Sequence, residues 1–205
     1  MRVLSCLFVA LAAAAFVVPP ARADIPQTQP GSPYVAGSEK ALLVFVRPRK
    51  RLAEEVLYSV VNARGECIAV LGNDWKVVAP IRAGTETLML VSGVAQPQVQ
   101  LLEVRALKGH TYVVQLRPRM NRKAPVEISI MRRREQPLEA FPATVLTSNP
   151  FRPSLGECTG FVSDKRRKIS EKAAAAKKAW NDDPGLRERQ TVVPRDGWSA
   201  DLITP

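Results

Sequence analysis

The sequence has little of what an enzyme active site is usually built from. It contains a single histidine, His110, in the turn formed by residues 108–110. A catalytic triad needs a base that is held by a partner, and a zinc site needs several ligands at suitable spacing. A lone histidine in a turn predicts neither, and we expect its ring to face solvent. No glycine-rich phosphate loop, G-x-S-x-G elbow or H-E-x-x-H helix occurs either. The expectation is therefore a protein that is not an enzyme, without a cofactor or a metal.

Cysteine is also scarce, with three residues in the chain. Cys6 belongs to the N-terminal apolar run, which leaves Cys67 and Cys158 in the rest of the protein. In an oxidising compartment these two would form a disulfide that closes a loop of roughly 90 residues and stabilises the fold by on the order of 4 kcal/mol. The alternative is two unpaired thiols, one of them buried in the core. The sequence leaves both open because it does not give the Cα separation.

Only one long apolar run occurs, at residues 3–18, directly after Arg2. It is shorter than the ~20 residues that span a bilayer, and Ala21 and Ala23 after it form an A-x-A cleavage site. A membrane anchor is the alternative, but this layout is typical of a secretory signal peptide. We therefore expect cleavage after Ala23 and export, either to the periplasm or as a secreted protein.

Acidic residues are outnumbered, with 19 Asp and Glu against 30 Lys and Arg, for a net charge of +11. The predicted leader removes only Arg2 and Arg22 of these, so the exported chain stays strongly basic. Outside the cell the polyanions are envelope polymers and lipid head groups, and these are the expected partners, alongside an envelope protein. Nucleic acid is the weaker expectation, because the basic runs lack the interleaved aromatic residues on which bases stack.

Residues 41–135 have the pattern of short strands. Seven or eight apolar or alternating runs follow one another, with a turn signal close to every ten residues. Residues 56–71 read as a hairpin in which Gly65 supplies the positive φ of the turn. The sequence therefore predicts a mainly β fold, an antiparallel sandwich of seven to eight strands with one C-terminal amphipathic helix. The predicted core residues are Leu43, Phe45, Val60, Ile68, Val70, Val77, Leu88, Leu90, Val104 and Val113.

Composition divides the whole chain into six parts. The predicted parts are a signal peptide at residues 1–23, a flexible leader at 24–40, a β-sandwich domain at 41–135, a Pro-rich connector at 136–162, a helix at 163–181 and a tail at 182–205. The connector is predicted to run over the surface, with a short strand at 143–146 as one option. The tail is predicted either to add a short edge strand or to stay mobile.

The predicted helix carries one narrow apolar stripe, formed by Ile169, Ala173, Ala176 and Trp180. Docking of this stripe on the sandwich is favoured over binding in a membrane surface. The reason is that Ala is a poor lipid anchor and a single Trp provides only weak anchoring in a membrane surface.

The strand sequences resemble a bacterial envelope family of unknown function that includes lipoproteins and secreted proteins. The resemblance lies in "ALLVFVRPRK", "VVAPIRAGTETLML" and "LKGHTYVVQLRPRM", and then in "AAKKAW" and "TVVPRDG", so it covers most of residues 41–198. The same layout is similar to PEGA-type, transthyretin-like β-sandwich modules. The chain departs from the family pattern at residues 83–85 and at His110. The resemblance implies a β-sandwich and supplies no catalytic residues.

Two stretches of the form Arg-Pro-Arg follow predicted strands, and they are the candidate binding surface. The candidate residues are Arg47, Arg49, Lys50, Arg51, Arg117, Arg119, Arg122 and Lys123. Two further basic runs lie at residues 132–134 and 165–168. In an antiparallel sheet Arg117 and Arg132 would fall at opposite ends if their strands are neighbours, which disfavours a single patch. Scattered, solvated strand ends are the alternative interpretation.

These observations favour an exported, non-enzymatic module of the bacterial cell envelope with a binding or structural role, attracted to anionic polymers by its basic strand ends. The alternative is an accessory protein that docks a protein partner through its C-terminal helix and tail.

Overall fold

The computed structural model describes residues 34–49, 55–93, 95–119, 126–136, 141–151 and 154–203. The predicted signal peptide and most of the predicted leader lie outside these ranges.

The described chain is mainly β, as the sequence predicts. Valine, isoleucine, leucine and aromatic residues dominate the longer strands, and such side chains fit a pleated, buried surface. The strands are β1 Lys40–Arg47, β2 Tyr58–Val61, β3 Cys67–Leu71, β4 Trp75–Arg82, β5 Gly84–Ser92, β6 Gln98–Ala106, β7 His110–Pro118, β8 Val126–Met131, β9 Asn149–Pro150, β10 Thr191–Val192 and β11 Trp198–Ser199.

The strands form two sheets. The first, sheet A, has the order β11-β7-β1-β4-β9, and β8 also pairs with β7. The second, sheet B, has the order β10-β6-β5-β2-β3. The predicted hairpin is confirmed, because β2 and β3 pair antiparallel and Gly65 has a φ of 83° in the turn between them.

The prediction of purely antiparallel sheets is wrong, because both sheets are mixed. β1 runs parallel to β7, with Val46 opposite Gln115, and parallel pairs also join β4 to β9 and β6 to β10. Local turn signals predict hairpins between strands that are close in sequence, whereas β1 and β7 are far apart and no turn links them. β1 is buried on both faces from Leu43 to Arg47, which is the pattern of an interior strand rather than of a half-solvated one.

One hydrophobic cluster takes side chains from both sheets. Leu43 and Phe45 of β1 belong to it, together with Leu88 and Leu90 of β5. Two smaller clusters contain further buried apolar residues. One includes Val44, Val46 and Val113 of sheet A, and the other includes Val61, Val70 and Val91 of sheet B. Strands of both sheets therefore have buried side chains on both of their faces.

Five helices occur in the described residues, so the prediction of a single helix is wrong. They are α1 Ala143–Thr147, α2 Leu155–Asp164, α3 Arg166–Asp182, α4 Pro184–Arg189 and α5 Ala200–Ile203. The predicted helix corresponds to α3, and the segment offered as a short strand is α1. α2 was missed because it buries only Cys158 and Val162, a pair at i and i+4 that is too short to show a period. α4 is a single short helix in which Asp183 caps the first turn through the amide of Leu186.

The docking of α3 is confirmed. Ile169 and Trp180 are buried, and α3 packs against β6 of sheet B. The tail that follows is part of both sheets, because β10 pairs with β6 and β11 pairs with β7. The predicted edge strand thus exists twice, once in each sheet.

The two cysteines lie at disulfide distance. Cys67 is in β3 and Cys158 is in α2, and their Cα atoms are 6.1 Å apart. That separation is within the range of protein disulfides. The pair links α2 to the strand at the far edge of sheet B from β10. No helix among the described residues is long and apolar enough to cross a bilayer.

Candidate functional site

The two Arg-Pro-Arg stretches lie at the same end of the same sheet. β1 and β7 are adjacent and parallel, with Val44 opposite Val113 and Val46 opposite Gln115. Arg47 and Arg117 lie close to the C-terminal ends of these two strands, and each is followed by Pro and Arg. Both stretches therefore lie at the same end of sheet A. The relation that brings the two stretches together is the parallel pairing, which the sequence does not reveal.

Arg47 is not exposed at this end. Its side chain is fully buried, donates a hydrogen bond to the carbonyl oxygen of Val56, and lies with its guanidinium carbon 5.0 Å from the centre of the Tyr58 ring. Burial lowers the pKa of Arg47, and the nearby Tyr58 partly opposes that effect. Burial likewise raises the pKa of Tyr58. The structure thus places Arg47 inside the fold.

The exposed basic residues that the structure describes in these two stretches are Arg49, Arg117 and Arg119, which we call the strand-end set. Arg119 forms an exposed ion pair of 3.1 Å with Glu127 on β8. Neither Arg49 nor Arg117 forms an ion pair with any residue that the structure describes. The other candidate residues, Lys50, Arg51, Arg122 and Lys123, lie outside the described ranges and follow Arg49 or Arg119 in the sequence.

A second group of basic side chains occupies the opposite end of sheet A. β4 runs antiparallel to β1, which places Arg82 opposite Lys40, and the amide of Gly109 beside Lys108 donates to the carbonyl oxygen of Lys40. Lys40, Arg82 and Lys108 are exposed, and we call them the opposite-end set. Lys108 forms an exposed ion pair of 2.6 Å with Glu39. The strand-end set and the opposite-end set therefore each carry three positive charges, and in each set one residue forms an ion pair.

The remaining basic runs lie away from the strand-end set. β8 is antiparallel to β7, so Arg132 follows β8 at the opposite end, as the sequence predicts for neighbouring strands. Its Nη1 donates to Asp196 over 2.7 Å. Lys165 and Lys168 belong to the helical layer, in which α3 packs on sheet B.

His110 begins β7, and its Nδ1 lies 2.9 Å from the carbonyl oxygen of Lys108. Within the described ranges no group of three or more His, Cys, Asp and Glu side chains is placed to hold a metal ion. A cleft that the described residues form does not include His110 in its lining.

That cleft, of about 750 Å³, was not predicted from the sequence. Its arginines come from separate parts of the chain: Arg105, Arg132, Arg187, Arg189 and Arg195. Only Arg132 belongs to a run that the sequence marks as basic. The others are dispersed, and the one local signal is the alternation of Arg and Glu from Arg187 to Arg189.

A buried carboxylate holds two of the cleft arginines. Glu103 accepts hydrogen bonds from Arg105 at 2.5 Å and from Arg187 at 2.5 Å, and its side chain is only 5% exposed. Burial by itself raises the pKa of Glu103, but the hydrogen bonds from Arg187 and Arg105 outweigh it, so the pKa of this carboxyl is lowered. Glu103 is therefore held as a carboxylate that fixes two guanidinium groups.

A scan against models of protein families and a search of curated proteins found no match for this chain.

Proposed function

We propose that this chain is an exported, non-enzymatic module of the bacterial cell envelope that binds an anionic envelope polymer through the strand-end set. The observation that carries the proposal is the parallel pairing of β1 with β7, which brings Arg49 and Arg117 to one sheet edge. Two basic stretches that are about 70 residues apart in the chain become one surface.

The exposure of the strand-end set supports this role. Arg49 and Arg117 are exposed and form no ion pair with a described residue, so their charge is available to a ligand. Lys50 and Arg51 follow Arg49 directly in the sequence, and Arg122 and Lys123 follow Arg119 closely, so both stretches carry further positive charge in the sequence.

A sandwich arrangement of the two sheets is part of the proposal. Its support is the shared cluster, in which Leu43 and Phe45 of sheet A pack with Leu88 and Leu90 of sheet B. This arrangement agrees with the resemblance to PEGA-like and transthyretin-like envelope modules, which itself remains a prediction.

The alternative, docking of a protein partner through the helix and tail, has less support. Ile169 and Trp180 of α3 are buried against the chain's own sheet B, and the tail supplies strands to both sheets. These apolar groups are already used inside the fold and do not form an unoccupied docking surface.

A salt series with two matched variants tests the proposal. The strand-end variant Arg49→Gln/Arg117→Gln/Arg119→Gln and the opposite-end variant Lys40→Gln/Arg82→Gln/Lys108→Gln each lose three positive charges. Retention of the purified protein on lipopolysaccharide and on anionic vesicles is measured from 0.1 M to 1 M salt, over which the Debye length falls from ~10 Å to ~3 Å.

We expect salt to reverse the binding of the wild type. At about 1 kcal/mol for each cation near an anionic surface, the strand-end variant should bind roughly two orders of magnitude more weakly at low salt. The opposite-end variant should stay within a few-fold of the wild type. Equal losses in the two variants would contradict a defined surface, and absence of binding by the wild type at low salt would remove the proposal. Retention on lipopolysaccharide but not on vesicles identifies the polymer rather than lipid head groups as the ligand.

A further inference from the structure

The arginine-lined cleft is distinct from the strand-end set. It lies where the end of β6 in sheet B, the turn after β8 and the segment from α3 to the tail come together. Its five arginines belong to four local segments, since Arg187 and Arg189 share α4, and only the fold brings these segments together. A cleft of about 750 Å³ is within the range of about 300 to 1,000 Å³ that small-molecule sites occupy.

Two buried carboxylates hold three of these arginines in place. Glu103 accepts from Arg105 and Arg187, and Asp196 accepts from Arg132 and from the amide of Val193. The side chains of Glu103 and Asp196 are only 5% and 4% exposed, so they lie beneath the arginines and not in the open cleft. Arginines fixed in this way have lost rotamer freedom before a ligand arrives, which lowers the entropic cost of binding.

The guanidinium groups retain donors for a ligand. Each arginine has five N–H groups, and Arg187 uses only its Nη2 on Glu103. Arg195 forms no ion pair with any residue of the described ranges, and Arg189 has only a contact of 3.6 Å with Asp183. Both are exposed and line the cleft.

The charge of the cleft explains why directed hydrogen bonds matter more than long-range attraction. Five arginines and two glutamates, Glu135 and Glu188, line it. The buried Glu103 and Asp196 reduce the positive excess further. A ligand gains from this arrangement only when its oxygen atoms reach several guanidinium forks at once, which is the contact that phosphate and carboxylate groups make with arginine.

The cleft also has an apolar side. Trp180, Pro184 and Val193 are part of its lining, and the Trp180 ring lies 5.7 Å from the guanidinium carbon of Arg187. The indole N–H of Trp180 donates to Gln190 over 2.6 Å, which fixes the ring. A ligand in the cleft therefore meets fixed donors together with apolar surface that comes mainly from Pro184 and Val193, because the Trp180 ring is buried.

We propose that this cleft binds a small molecule that carries at least two phosphate or carboxylate groups. Arg105 and Arg187 are anchored on Glu103 and Arg132 on Asp196. The exposed Arg189 and Arg195 line the same cleft, so donors from several arginines can reach separate anionic groups of one ligand. This site is separate from the polymer surface of the strand-end set and does not depend on it.

Titration with pyrophosphate and with citrate tests the site. Both are added to the purified protein at constant ionic strength, with chloride as the balancing anion. Binding is followed by calorimetry and by the NMR signal of the Trp180 indole N–H. We expect saturable binding of at least one of the two anions, with a shift of that signal. The pyrophosphate arm and the citrate arm distinguish a phosphate ligand from a carboxylate ligand.

Two charge-matched variants locate the binding. Arg189→Gln/Arg195→Gln removes two exposed cleft arginines, and Arg49→Gln/Arg117→Gln removes two arginines from the strand end. We expect the cleft variant to raise the Kd at least tenfold and the strand-end variant to leave it within twofold. The single variant Arg195→Gln, which removes no ion pair among the described residues, keeps the test independent of folding and should raise the Kd several-fold.

Three results would overturn the proposal. The first is the absence of saturable binding of either anion by the wild type. The second is an equal Kd in the wild type and the cleft variant. The third is loss of polymer retention in the cleft variant while neither small anion binds, which would assign the cleft to the polymer instead. Because the two variants separate the cleft from the strand end, failure of this proposal is distinguishable from failure of the polymer proposal.

Discussion

The strand end and the cleft are two basic surfaces built in opposite ways. At the strand end the charges come from two short stretches of the sequence and are exposed, and Glu127, which pairs with Arg119 and lies opposite Arg117 in the sheet, is an acidic residue beside them. In the cleft the charges are dispersed in the sequence and anchored on buried carboxylates such as Glu103. The difference indicates two kinds of recognition. Loose, exposed charge suits a flexible polyanion, and fixed guanidinium groups suit a small ligand of defined shape.

The largest effect on stability is expected from the cysteine pair, which lies at the far edge of sheet B from the cleft. Joined as a disulfide across 91 residues, Cys67 and Cys158 should contribute about 4 kcal/mol. Reduction or Cys67→Ser/Cys158→Ser should lower the free energy of unfolding by roughly that amount, measured in urea. Binding at both basic surfaces should persist while the protein stays folded. A full complement of two reactive thiols in the native protein, by thiol titration, would contradict the pairing.

A smaller effect separates the two arginines of the first Arg-Pro-Arg stretch. Arg47→Ala should lower the free energy of unfolding by about 3 kcal/mol, because it removes a buried side chain and leaves the Val56 carbonyl without this donor. Arg49→Ala, at an exposed position, should change it by less than about 0.5 kcal/mol. For anion binding the order is reversed: Arg49→Ala should weaken it more than Arg47→Ala does. Similar stability losses for the two variants would show that Arg47 is not buried.

Removal of the carboxylate under the cleft should cost about 2 kcal/mol. Glu103→Gln leaves Arg105 and Arg187 without their charged acceptor, and the expected range for such a loss is roughly 1 to 3 kcal/mol. Because the pKa of Glu103 is lowered in the folded protein, its stabilisation is present above the unfolded pKa of about 4.3 and is lost as pH falls through the folded pKa. The stability difference between wild type and variant should therefore be constant near pH 7 and shrink in acid. A difference that does not change down to the acid transition would argue against this role.

The smallest stability effect is expected at the strand end itself. Glu127→Gln breaks an exposed ion pair whose members are 52% and 38% exposed, and such pairs contribute less than about 1 kcal/mol. It also removes a negative charge beside Arg119, so retention on anionic polymer should increase by a few-fold. Unchanged retention would indicate that Arg119 does not take part in binding.

The sequence predicted the features that depend on neighbouring residues. The hairpin around Gly65, the turn at Gly109 and the apolar stripe that buries Ile169 and Trp180 all follow from local periodicity or from a φ that glycine favours. They are confirmed because local geometry determines them.

Apart from the short helices such as α1 and α2, the features that the sequence did not predict are non-local. The parallel pairing of β1 with β7 leaves no local mark, because a strand buried on both faces shows an apolar run without alternation. The burial of Arg47 was missed because it depends on the interior place of β1 in sheet A and not on the residue type. The cleft escaped prediction because Arg105 and Arg195 are isolated in the sequence and are brought together only by the docking of the tail on both sheets.

The most direct test of the central claim is whether Arg49 and Arg117 act on one ligand. Retention on lipopolysaccharide at low salt is measured for Arg49→Gln, for Arg117→Gln and for the double variant, with Lys40→Gln/Arg82→Gln as the control. We predict that each single variant weakens binding about five-fold, that the double variant weakens it about thirty-fold, and that the control stays near the wild type. Loss confined to one of the two arginines, or an equal loss in the control, would contradict a single surface formed by the parallel strands.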